Sequence, residues 1–135
     1  ATYFTGEAFA ALRDNTILGR MMAPNGTIDP EGFRRGVARS GNPGHLLHHL
    51  FGVRTNALFG DISEAAGEGF LSGLLIGHEV RAALAGSGQV LLVGDATLVA
   101  LYSTAITLCG GQPVAMELDA ALAGLRLIGR QAAWD

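Results

Sequence analysis

The run Val90-Leu91-Leu92-Val93-Gly94-Asp95-Ala96-Thr97 passes from an apolar stretch through Gly-Asp into a helical pattern. In open parallel sheets, ligands bind beyond the carboxyl ends of strands, where a glycine permits close backbone approach and helix N–H groups face outward. On that chemistry Gly94, Asp95, Ala96 and Thr97 are candidates for contact with a nucleotide or a sugar. The commoner use of the same pattern is a tight strand-to-helix turn with Asp95 as a solvated cap. A second polar group, Thr5-Gly6-Glu7, opens another helical pattern. Glu7 and Asp95 are thus carboxylates beside glycines and the best polar candidates, although only the fold can bring them together.

The remaining reactive residues point elsewhere. His45, His48 and His49 stand at i, i+3 and i+4, a spacing that zinc sites sometimes use, but no cysteine lies near and no carboxylate has ligand spacing. They read as surface or interface histidines. His78-Glu79 lacks the second histidine of a zincin helix, because position 82 is Ala. Ser72 lies inside a helical pattern rather than on a strand-to-helix elbow, so it offers no hydrolase nucleophile.

Composition narrows the classes further. All nine basic residues are Arg, which removes every chemistry that needs a lysine within this chain: Schiff bases and the phosphate-gripping lysine of a P-loop. With 12 acidic residues the formal charge is −3, and the arginines are scattered apart from Arg34, Arg35 and Arg39, so the footprint of a nucleic-acid binder is missing. The lone Cys109, in an apolar run, excludes an internal disulfide and reads as a buried, reduced thiol, which fits the cytoplasm. The apolar stretch from Phe70 to Ile76 is far shorter than the roughly 20 residues of a membrane span. With 49% hydrophobic residues over 135 positions, one globular domain is expected.

These groups must be positioned by regular elements. Ala1 to Thr5 looks like a strand caught in mid-run, with no initiating Met, so the chain reads as a fragment. Thr5 then caps a helix over about 6–14, and Ala23 to Gly26 is a turn. Asp29-Pro30-Glu31 supplies the N-cap, N1 proline and first-turn acid of a helix to about Ser40. A short helix spans His45 to Phe51, ending before Gly52, and one long helix covers Ser63 to Ala85, with Ser63 its candidate cap. The pattern ends with a strand at 89–93, a helix from Ala96 to about 109, a strand at 113–117, and a helix to about 129 capped by Asp119. Helix, strand, helix, strand, helix argues for an α/β fold with the two strands parallel and covered by the helices. Gly69, Gly73 and Gly77 share one stripe of the long helix, best explained by tight packing of that helix on the sheet.

Phe4-Thr5-Gly6-Glu7, Thr16-Ile17-Leu18-Gly19, Leu50-Phe51-Gly52-Val53-Arg54, and above all Phe70-Leu71-Ser72-Gly73-Leu74-Leu75-Ile76-Gly77-His78-Glu79 together resemble the C-terminal part of the 2-dehydro-3-deoxygalactonokinases. The resemblance runs in unbroken order from Phe4 to about Gly129. It implies an RNase H-like (actin-like ATPase) half-domain with a helical insertion, from the actin, Hsp70 and sugar-kinase superfamily. Residues 1–5 and 63–129 would be the α/β core and 6–62 the insertion, the whole of 1–135 being a C-terminal kinase domain whose N-terminal partner domain is absent.

The implied activity is ATP- and Mg2+-dependent phosphorylation of 2-dehydro-3-deoxy-D-galactonate to its 6-phosphate. In that frame Gly94, Asp95, Ala96 and Thr97 fall at the adenosine motif, although Asp95 stands where the motif usually has a second glycine. Thr5, Gly6 and Glu7 would enter the cleft as substrate contacts, with Glu7 the candidate catalytic carboxylate and no metal ligand assigned. The two phosphate loops of the family are not in this chain, so the phosphate-binding groups would belong to the missing half. Partners implied are the sugar acid, ATP and the N-terminal domain, with self-association left open. The alternative from another class is a noncatalytic actin-like module for sugar sensing or assembly.

Overall fold

The computed structural model describes residues 2–23, 27–84, 88–116 and 120–131. Its elements are α1 (Thr5–Asn15), a 3-10 turn (Gly19–Met21), α2 (Pro30–Arg39), α3 (Leu46–Leu58), α4 (Glu64–Ala83), β1 (Gln89–Leu92), α5 (Ala96–Leu108), β2 (Gln112–Ala115) and α6 (Ala120–Gln131). Local chemistry explains several boundaries. Asp29 caps α2 by accepting from the Gly32 amide at 3.2 Å, with Pro30 at N1, where its missing N–H costs nothing. Ser63 caps α4 in the same way through the Ala66 amide at 3.3 Å.

Helix α4, about 30 Å long, is the spine on which the rest is packed. Two clusters of buried side chains share it. One gathers Leu18, Leu50, Val53 and Ile62 around Phe70, Leu71, Leu74 and Leu75, with Phe9 and Leu12 of α1 against it. The other joins Phe33 and Val37 of α2 to Ile76 and Val80 of α4 and Ala105 and Ile106 of α5, with Val90 and Leu92 of β1 at its margin. The strands β1 and β2 pair in parallel, Gln89 opposite Gln112 and Leu92 opposite Ala115, and α5 is their crossover.

Several expectations change. Residues 2–4 form no strand, and Thr5 is already helical, so the N-cap is Phe4 and it caps with no side-chain hydrogen bond. The described residues offer no third strand to pair with that segment, whereas a helix satisfies its own backbone groups. Helix α3 runs through Gly52 to Leu58, because burial of Leu50 and Val53 on either side offsets the glycine's helix penalty of about 1 kcal/mol.

The glycine stripe of α4 is indeed a packing device, but its partner is α2, not the sheet. A Cβ at Gly69 would lie 3.1 Å from the Asp29 nitrogen, and one at Gly73 would overlap the Phe33 carbonyl. Reciprocally, a Cβ at Gly36 would lie 2.7 Å from the Leu74 nitrogen. The two helices therefore cross backbone to backbone. Nor does the last helix cover the sheet: residues 124–130 of α6 are all exposed, Leu125 by 66%, and Leu91 of β1 stays 58% exposed. The second strand is Gln112–Ala115 rather than 113–117, Met116 lying already beyond it. The cap expected at Asp119 and most of the turn before Thr27 lie outside the described residues.

Candidate functional site

The strand-to-helix turn forms as expected at the carboxyl end of β1. Asp95 Oδ1 accepts from the amides of Thr97 at 2.9 Å and Leu98 at 3.3 Å, capping α5. Gly94, Asp95, Ala96 and Thr97 are all exposed. A Cβ at Gly94 would find only Val99 Cγ2, at 4.0 Å, so a ligand meets open backbone there. The carboxylate takes two of the helix's free N–H groups and places a negative charge beside them, which disfavours a phosphate at this helix end. What the turn can accept is a neutral, flat or hydroxylated group lying over Gly94.

Thr5, Gly6 and Glu7 occupy the first turn of α1, where Glu7 is an exposed first-turn acid without a hydrogen bond or ion pair among the described residues. A Cβ at Gly6 would meet nothing within 4 Å, so the glycine is not there for packing within this chain. No hydrogen bond or ion pair among the described residues joins this turn to the Gly94–Thr97 turn. Helix α1 belongs to the first core cluster and α5 to the second, so these residues alone do not close the two motifs into one site.

A cleft of about 660 Å³ that the sequence reading passed over opens at the other end of α1. Its walls include Arg13, Asp14, Asn15, Arg20 and Glu68. Arg13 forks onto Asp14, Nε to Oδ1 at 2.7 Å and Nη2 to Oδ2 at 3.1 Å, while Nη1 donates to Glu68 Oε1 at 3.1 Å. The Phe9 ring lies 5.4 Å below the guanidinium carbon. The Asp14 and Glu68 hydrogen bonds hold the Arg13 guanidinium above its ordinary pKa, and the same Arg13 bond holds the Asp14 carboxyl below the usual carboxylate value. A Cβ at Gly19 would overlap the Arg13 carbonyl, so this glycine lets the 3-10 turn fold back onto α1 and bring Arg20 to the same wall. A signal for Glu68 was present: it shares a helical face with Leu71 and Leu75, at i+3 and i+7, a buried position for a carboxylate.

The histidines divide. His45 and His48 are exposed as expected, but His49 is fully buried, which corrects the surface reading. Its Nδ1 lies 2.9 Å from Nε2 of His78, and its Nε2 3.3 Å from the Pro43 carbonyl. Burial first, then the charges of His49 and Arg81, push the His78 pKa down. The pair ties α3 to α4, and Glu79 beside it accepts from the Tyr102 hydroxyl at 2.8 Å, tying α4 to α5, so His78-Glu79 is structural as expected. Cys109 is half-buried rather than buried, and that burial raises its thiol pKa.

Residues 1–128 match the model of a family described as 2-keto-3-deoxy-galactonokinase. Among curated proteins, the chain is 38% identical to one from Rhizobium meliloti (strain 1021) named as a 2-dehydro-3-deoxygalactonokinase, over 96% of this chain and 45% of that protein. It is 32% identical to the 2-dehydro-3-deoxygalactonokinase of Escherichia coli (strain K12), over 98% of this chain and 46% of that one. A crystal structure from Sinorhizobium meliloti, described under the same enzyme name, superposes with a TM-score of 0.85 at 36% identity, covering 97% of this chain and 46% of its own. The chain spans a little under half the length of the relatives it matches.

Proposed function

The chain belongs to the 2-keto-3-deoxy-galactonokinase family, and from that premise we propose that it is the C-terminal part of an ATP-dependent sugar-acid kinase. The reaction would carry the γ-phosphoryl group of ATP to the terminal hydroxyl of 2-dehydro-3-deoxy-D-galactonate, giving the 6-phosphate and ADP. The observation that carries this reading is the family match across residues 1–128. The parallel β1-α5-β2 unit supports an RNase H-like half-domain, in which 6–62 is a helical insertion. A preceding half of similar size would complete the cleft and bring the phosphate-binding groups.

Within this division of labour the Gly94–Thr97 turn takes the adenosine. Gly94 leaves the backbone open to a base or ribose, and the Asp95 cap steers the phosphates away from α5. Thr5, Gly6 and Glu7 border the sugar acid, with Glu7 the carboxylate available to a substrate hydroxyl. Phosphoryl transfer asks a protein chiefly for positioning and for charge neutralisation. Mg2+ bound with the nucleotide supplies part of that neutralisation. Among the described residues no group of three or more His, Cys, Asp or Glu is placed to hold a metal, so no step through Mg2+ is assigned to this chain. A cytoplasmic setting is part of this reading, on the lone free Cys109. No described helix is long and apolar enough to cross a membrane.

The test is direct. Full-length protein given ATP and the sugar acid should release ADP, and phosphorus NMR of the product should show a primary phosphate ester. Sugar binding with no transfer would replace the enzyme by a noncatalytic sensing or assembly module, and ADP release that does not depend on the sugar acid would make it an ATP hydrolase rather than a sugar-acid kinase.

A further inference from the structure

Helix α3 is apolar on the side it turns to solvent as well as on the side it buries. His49, Leu50 and Val53 face α4 and the first core cluster. At about 100° a residue, Leu47, Phe51, Arg54 and Leu58 form a separate stripe, all within about 60° of one another. Leu47 is 81% exposed, Phe51 59% and Leu58 57%, and Phe59, just past the helix end, is 81% exposed. Arg54 is the one Asp, Glu, Lys or Arg of α3, and it has no hydrogen bond or ion pair among the described residues. Helix α2 shows what a solvent-facing side looks like in this molecule, since it exposes Glu31, Arg34 and Arg35. A helix that is apolar all round is a buried one, so α3 needs a covering that the described residues do not supply.

Two coverings are available: another part of a polypeptide whose relatives are more than twice as long, or a second copy of this chain. The stripe favours the second copy. Its spacing is four, three and four residues, the same read in either direction, with leucine at both ends. Antiparallel packing about a two-fold axis at the Gly52–Val53 peptide therefore sets Leu47 opposite the partner's Leu58, and Phe51 opposite the partner's Arg54. The first pair is apolar on apolar, and the second lays a guanidinium over an aromatic face. A contact with an unrelated surface asks for no such symmetry. The size fits as well. Leu47, Phe51, Leu58 and Phe59 together expose roughly 500 Å², at about 200 Å² for a whole side chain. That is more than half of the ~800 Å² that each partner contributes to a standard interface.

We propose that α3 is the centre of a homodimer interface, packed antiparallel on α3 of a second copy in this register. The dimer goes beyond the kinase reading and does not depend on it.

The mass of the full-length protein in solution, by light scattering across micromolar concentrations, is the test. The wild type should be a dimer. Leu47→Lys and Leu58→Glu should each raise the dimer dissociation constant at least about tenfold and keep the helical circular dichroism, since both side chains are exposed in the single copy. The double variant Leu47→Lys, Leu58→Glu should recover the dimer, because each lysine then meets a glutamate across the axis. A second readout disrupts nothing. Leu47→Cys with Leu58→Cys, with no other cysteine present, should be joined into a covalent dimer by a short bismaleimide. Leu47→Cys alone should not, because its two copies lie about 16 Å apart along the antiparallel helices. A monomeric wild type, a double variant no more dimeric than the singles, or no cross-link in the paired cysteine variant would overturn the proposal. So would single variants that lower the melting temperature and leave the mass unchanged, an outcome that gives this face to the rest of the polypeptide.

Discussion

The Gly94–Thr97 turn and the Arg13–Glu68 cleft are made in opposite ways. The turn is closed by hydrogen bonds from Asp95 to amides two and three residues on, and all of its residues are exposed. The cleft depends on an ion pair between residues 55 apart, one of them buried, and on glycines that let distant backbones touch. A site of the first kind survives in almost any fold that supplies a strand and a helix. One of the second kind exists only while α1, the 3-10 turn and α4 keep their places.

The largest test of that difference is Gly73→Val. Its Cβ would overlap the Phe33 carbonyl, and with backbone on both sides the crossing of α2 and α4 cannot relax cheaply. We expect a loss of about 3 kcal/mol or more by chemical denaturation. Gly52→Ala, also inside a helix but with nothing within 4 Å of the new Cβ, should instead gain about 0.5–1 kcal/mol. Equal effects at the two glycines would remove the backbone-contact explanation.

Next come the two motifs assigned to the reaction, tested in the full-length enzyme. Glu7→Gln should cut turnover at least about tenfold, near 1.4 kcal/mol of barrier, with little change in melting temperature. His45→Gln with His48→Gln should leave turnover near normal, since both rings are exposed and outside the site. Gly94→Val should weaken ATP by about tenfold in calorimetry, because a branched side chain would stand where the proposed adenosine site has the base approach. Unchanged ATP affinity with the fold intact takes Gly94 out of the site.

Smaller effects sharpen the local side of the comparison. Asp95→Ala removes the cap of α5 and should cost about 1 kcal/mol in denaturant. The His49–His78 pair predicts a modest pH dependence. The folded His78 binds its proton less readily than its ordinary value of 6.5, so its contribution to stability is complete above that value and declines as pH falls below it. The melting temperature should fall between about pH 7 and 5. His78→Gln should flatten that fall; an identical slope would assign it to other groups.

What the amino-acid sequence determined by itself is everything whose partners lie within a few residues. Asp29, Ser63 and Asp95 each cap the helix expected of them, the two short strands pair in parallel, and the 94–97 turn forms. The cap hydrogen bonds close across two or three residues, so residue type and spacing are enough; the strand pairing joins residues 23 apart and was legible instead from the alternation of helix and strand. Tertiary structure decided the rest. Residues 2–4 form no strand, because a strand needs a neighbour to satisfy its backbone. The stripe of Gly69, Gly73 and Gly77 signalled a close approach, but only the packed helices show that α2 is what approaches. His49 is buried and its exposed neighbour His48 is not, a difference of about 100° around one helix that matters only once α4 brings His78 to that face. Glu68 joined the cleft wall only when Arg13, 55 residues earlier, was seen to hold one of its oxygens. Burial and long-range pairing depend on which surfaces meet, and a linear pattern does not carry that information.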